Sequence, residues 1–101
     1  MTEPRPFEAR IEPDGVVRLS GELDLATADI LSQTVASCLD GQQPVLDFSQ
    51  ITFVDSSGIR AILQLAHAKG RTVVLRNLPL NVRKVLEIAG VNETVGVRIE
   101  S

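Results

Sequence analysis

The sequence predicts an α/β fold: a mixed β-sheet that opens with an antiparallel hairpin and carries helices packed on it. Three observations predict this. Short β-like runs and longer helix-like runs alternate along the chain, the pattern of a sheet layered with helices. The first two β-like runs are separated by a turn signal alone, which makes them a hairpin. Later β-like runs are separated by helical segments, and a helix that crosses between neighbouring strands leaves them parallel. The whole chain of 101 residues reads as a single domain, able to bury roughly 60–70% of its unfolded surface without a disulfide or metal. No linker, repeat or low-complexity stretch interrupts it.

Taken in order, "FEARI" (Phe7 to Ile11) alternates apolar and polar residues. "EPDG" follows as a turn in which Gly15 adopts any backbone conformation without steric cost, and "VVRLS" (Val16 to Ser20) is the returning strand. Leu31, Val35, Cys38 and Leu39 then recur at helical spacing, with Gly41 as the stop. "PVLDFS" (Pro44 to Ser49) is a short apolar strand. Ile59, Ile62, Leu63 and Ala66 form the sheet-facing stripe of a second helix ending near Gly70. "RTVVLRN" is a buried β-branched strand. Val82, Val85, Leu86 and Ala89 mark a third helix, closed by Gly90, and "VGVRIE" alternates as a last strand.

Composition removes several classes of function. Aromatics make up 3% of the chain, with no Trp or Tyr, so the core is aliphatic and no ring platform exists for stacking nucleobases. The net charge of −3 opposes a nucleic-acid footprint, which needs a basic face. One Cys cannot close an internal disulfide. The first ten residues, "MTEPRPFEAR", carry charges and prolines where a signal peptide needs an apolar stretch. No apolar run approaches the ~20 residues that span a bilayer. A cytoplasmic protein without membrane insertion is expected.

The chemistry-bearing stretch is "FVDSSGIRAIL" (Phe53 to Leu63), where an acid, two serines and a glycine lie between a β-like run and a helix. The first N–H groups of a helix lack intrahelical partners, and Asp55 or Ser57 can accept from them, a cap worth ~1 kcal/mol. The same geometry also tolerates an added anion, because those N–H groups and the helix dipole favour negative charge. A phosphoryl group on a serine here would leave the fold intact and add about −1.5 to −2 charge to the surface. At ~6 Å and an effective dielectric near 20, each unit of like charge on a partner costs roughly 3 kcal/mol, on the order of a hundredfold in affinity. The cap and the switch are compatible.

"GELDLAT" upstream places Glu22 and Asp24 between a strand and a helix. A turn followed by a cap at Thr27 accounts for it locally. His67, the single histidine, cannot form a zinc site with one Cys. It lies eleven positions from Ser56, ~16 Å along one helix, so it cannot serve a nucleophilic serine. The G-x-S-x-G elbow is absent. Cys38 sits on an apolar stripe and reads as a buried structural thiol. No G-x-x-x-x-G-K-[ST] loop is present, so no nucleotide is bound in the P-loop manner. No enzyme, metal or cofactor is expected.

"SGELDLATADIL" (Ser20 to Leu31), "LDFSQITFVDSSGIRAIL" (Leu46 to Leu63) and "NLPLNVRKVLEIAGV" (Asn77 to Val91) together resemble the anti-sigma factor antagonists of the STAS family. The resemblance covers nearly the whole chain in the family's order of elements. It implies a STAS-type domain in a bacterial partner-switching system. The unphosphorylated form would bind an anti-sigma factor that is itself an ATP-dependent serine kinase, releasing a sigma factor for transcription. Phosphorylation would switch it off, and a phosphatase would reset it. Carried onto this chain, the resemblance implies Ser56 as phosphoacceptor, Ser57 as the neighbouring hydroxyl and Gly58 as a point of close approach by a partner's backbone. It also implies that Asp24, with Glu22 in the same acidic segment, lies at the contact surface beside the acceptor.

On the helix after Gly58, Arg60, Gln64 and His67 fall opposite the sheet-facing stripe. Ala61, Leu65 and Ala68 form a flanking apolar strip, either the edge of the core or part of a docking patch that includes Leu65. The alternative function is a stand-alone STAS subunit of a membrane (lipid) transporter complex, docking on its ATPase. A monomer is expected, because no extended apolar stripe is left after the core is assigned.

Overall fold

The computed structural model of the chain describes residues 7–37, 43–69 and 72–100. Its elements are β1 (Glu8–Ile11), β2 (Val16–Leu23), α1 (Ala28–Ala36), β3 (Val45–Val54), α2 (Ser56–Lys69), β4 (Val73–Arg76), α3 (Leu80–Ile88), a 3-10 turn (Val91–Glu93) and β5 (Val97–Glu100). The expected thiol Cys38, with Leu39 and the helix stops Gly41 and Gly70, lies outside the described residues.

The hairpin forms as its turn signal requires. The Gly15 N–H donates to the Glu12 carbonyl at 2.9 Å, and the Val16 N–H donates to the Asp14 carboxylate at 3.0 Å. β1 pairs antiparallel with β2, and the pairs β2–β3, β3–β4 and β4–β5 are all parallel, giving the sheet order β1-β2-β3-β4-β5. The mixed α/β sheet is as expected. Each parallel step carries a helix and proceeds in the same direction, so right-handed crossovers put the helices on one face. Burial agrees. Phe7, Val17, Leu19, Leu46, Phe48, Val73 and Leu75 from the strand side meet Leu31, Val35, Ile62, Ala66, Val82 and Leu86 from the helices in one aliphatic core.

The reverse face carries a row of charge across all five strands. In register it runs Arg10, Arg18, Asp47, Arg76, Glu100. Asp47 is buried there at 5% exposure. Its carboxylate accepts from the Ser49 N–H at 2.8 Å and the Asn77 amide at 3.1 Å, with the Arg18 guanidinium 4.0 Å away. Burial raises its pKa, but the Ser49, Asn77 and Arg18 interactions outweigh this and hold the carboxyl below its ordinary value.

Two sequence expectations shift. β3 is not the short strand Pro44 to Ser49 but continues to Val54. Two register irregularities against β2 break its alternation, so Ile51 is turned into the core; beyond them Val54 is buried and Phe53 stands 48% exposed. On α3, Val82 and Leu86 are buried as expected, but Val85 and Ala89 are exposed. The buried face is centred on the Val82–Leu86 pair, and the other two lie on its flank. Gly90, at φ 77°, ends that helix in the left-handed conformation. Leu80, Ile88 and Val95 are exposed apolar residues.

Candidate functional site

The acidic turn after β2 and the entrance to α2 leave the sheet side by side. Glu22 pairs in register with Phe53 and Leu23 with Val54, and the Asp55 N–H donates to the Leu23 carbonyl at 3.2 Å. Both segments thus lie at the carboxyl ends of adjacent parallel strands, where open α/β sheets place their ligands.

Asp55 is the cap of α2. Its Oδ1 accepts from the Ser57 N–H at 2.9 Å and the Gly58 N–H at 3.1 Å, which settles the choice between Asp55 and Ser57. The same bonds alter one expectation. The amides of Ser57 and Gly58 were to be available to an added anion, and Asp55 already occupies them. Ser56 is exposed, and among the described residues its hydroxyl has no hydrogen-bond partner. Ser57 is half-buried and lines a cleft of about 190 Å³ between α1 and α2, together with Leu25, Asp29, Arg60 and Gln64.

Asp24 is half-buried in a self-contained turn. Its Oδ1 accepts from the Ala26 N–H at 3.0 Å. The Thr27 hydroxyl accepts from the Asp24 N–H at 2.9 Å and donates to the Glu22 carbonyl at 2.8 Å. Thr27 does stand at the start of α1, but its side chain makes no cap bond to the helix. It rigidifies the turn, leaving Glu22 exposed on β2 and Leu25 79% exposed at the tip.

Two expected contact residues are corrected. Gly58 is buried, and a Cβ at this position would come within 2.6 Å of the Leu23 carbonyl oxygen and 2.9 Å of its Cγ. The backbone that approaches it closely within the fold is that of its own β2. Leu65 is 6% exposed and packs into the core with Ala61. α1 packs on α2 here, so Ala61 and Leu65 lie in the interior of the fold. Ile59 and Leu63, expected in the sheet-facing stripe, are only partly buried at the edge of the core. Arg60, Gln64 and His67 are exposed as expected, with His67 about three helical turns from Ser56.

The exposed Phe53 and Leu25 that flank the acids were not foreseen. Phe53 was missed because the strand was expected to end at Ser49, whereas β3 runs on to Val54. For Leu25 the signal was its place between Asp24 and Thr27, within a turn.

Known proteins agree with this architecture. Residues 8–98 match the family model described as "Mlab, STAS domain". The anti-sigma F factor antagonist of Paenibacillus polymyxa is 32% identical over 81 residues, covering 74% of this chain and 69% of that protein. The solved structure of the anti-sigma factor antagonist SpoIIAA in its unphosphorylated form superposes with a TM-score of 0.60 at 19% identity, over 95% of this chain and 88% of that one. It shares the fold. The chain belongs to the STAS domain family. Among the described residues no helix is long and apolar enough to cross a membrane.

Proposed function

We propose that this protein is an anti-sigma factor antagonist whose unphosphorylated form binds an anti-sigma factor and frees a sigma factor, and that phosphorylation of Ser56 switches it off. The observation that carries the reading is the exposed Ser56 hydroxyl, without a hydrogen-bond partner among the described residues, beside the acidic turn, in a chain 32% identical over 81 residues to a protein with that name. The anti-sigma factor is the kinase. The Ser56 oxygen attacks the γ-phosphorus of ATP held by that partner, the bond to the β,γ-bridging oxygen breaks, ADP leaves, and the hydroxyl proton passes to a base on the kinase. A phosphatase returns Ser56 to its hydroxyl form. In this reading the protein acts in the cytoplasm. Glu22, Asp24, Asp55 and Ser57 flank the acceptor, and Leu25 and Phe53 add apolar contact.

Incubation with the cognate kinase and ATP, followed by mass spectrometric mapping, tests the assignment. Phosphate is expected on Ser56, and label confined to Ser57, or none on either serine, refutes it. Ser56→Asp should lower affinity for the anti-sigma factor on the order of a hundredfold or more, whereas Ser56→Ala should bind irrespective of ATP. Asp24→Asn should impair phosphorylation more than stability.

A second reading, a STAS subunit docking on the ATPase of a membrane lipid transporter, has one observation in its favour. The matched family model is described as Mlab and not as an anti-sigma factor antagonist. Co-purification separates the two, because recovery of a transport ATPase in place of a small kinase reverses the ranking.

A further inference from the structure

Resting on the phosphorylation proposed above, we infer that Arg60 is the counter-charge of the modified site: a phosphoryl group on Ser56 is held by the Arg60 guanidinium across one turn of α2, and not by the amides that follow it in the first turn. The three amides that follow Ser56 in the first turn are occupied. Those of Ser57 and Gly58 donate to the Asp55 carboxylate, and that of Ile59 donates to the Asp55 carbonyl at 3.0 Å. A phosphate on Ser56 therefore meets the Asp55 carboxylate, with Glu22 and Asp24 on the adjacent turn, and needs a cation.

Arg60 meets that need. It lies four residues after Ser56 on α2, a spacing that brings β-carbons to about 5–6 Å and favours an anion N-terminal to a cation. It is exposed, and among the described residues it has no ion-pair or hydrogen-bond partner. Asp29 lines the same cleft without pairing with it. The planar guanidinium engages two phosphate oxygens at once. Phosphorylation thus has two effects. It adds negative charge at Ser56, and it draws the one cation among the described residues lining the α1–α2 cleft away from the surface beside Leu25. The mark rearranges the docking surface as well as charging it.

The test installs phosphoserine at position 56 during synthesis, so no kinase is required, and follows its second ionisation by ³¹P NMR titration. Arg60→Gln should raise that pKa by about 0.2–0.7, the range an exposed ion pair supports. Arg60→Lys should retain part of the difference, and Arg83→Gln on α3 should leave the value unchanged. Identical titrations of the wild type and Arg60→Gln overturn the inference, as does an equal displacement in Arg83→Gln, which marks a general field effect. A kinase that never labels Ser56 would defeat the functional reading while leaving this titration decisive for Arg60.

Discussion

Within four consecutive residues, Asp55 to Gly58, each side chain has a different task. Asp55 closes the helix, Ser56 faces solvent, Ser57 lines a cleft, and Gly58 makes room for β2. Removing the cap by Asp55→Ala should lower the unfolding free energy by about 1 kcal/mol, read from urea denaturation. Gly58→Ala is the more telling variant. The added methyl would press on the Leu23 carbonyl at 2.6 Å, and backbone cannot swing aside as a side chain can. A loss of about 1–3 kcal/mol is expected, and wild-type stability would show that α2 can shift away from β2 at little cost. The residue types of this stretch were legible in the sequence, and so was the cap. The role of Gly58 was not, because "close approach" does not say whose backbone approaches.

At the scale of elements, hydrophobic patterning located the five strands and three helices of the described residues, because each buries one stripe or one face. It misjudged the flanks. Leu65 stayed open between core edge and docking patch because a helix wheel drawn against a sheet alone has one buried side, whereas α2 also packs on α1. Leu65→Ala should therefore cost about 2–5 kcal/mol, and Leu65→Glu more, because an unpaired carboxylate would be buried. A Leu65→Glu protein that melts like the wild type would return that strip to the surface. Val85 and Ala89 were misjudged in the opposite sense, read as core where α3 buries only Val82 and Leu86. The length of β3 was hidden by its two register irregularities, which interrupt alternation where the strand continues.

Across the whole molecule, the reverse face of the sheet makes stability depend on acid. Asp47 and Glu100 both have pKa values below the ordinary carboxylate range. For Asp47 burial opposes the shift, but hydrogen bonds from Ser49 and Asn77 and the Arg18 charge prevail. For Glu100 the causes are Arg98 and then Arg76. A carboxyl depressed on folding contributes stability that is present above its unfolded pKa, near 3.9–4.3, and is lost as pH falls through the lower folded value. Urea midpoints should therefore fall steeply below about pH 4. Asp47→Asn should flatten that decline while weakening the protein at pH 7, and an unchanged slope would remove Asp47 as a source. The composition gave no hint of this row, because it emerges only when register aligns one residue from each of five strands.

The hydrogen bond from the Asp55 amide to the Leu23 carbonyl makes a single proton report on two loops at once. Its exchange with deuterated solvent slows only while the acidic turn and the mouth of α2 stay joined. A partner that pried them apart would speed that one amide while leaving the central strands protected, and a partner that clamped them together would slow it.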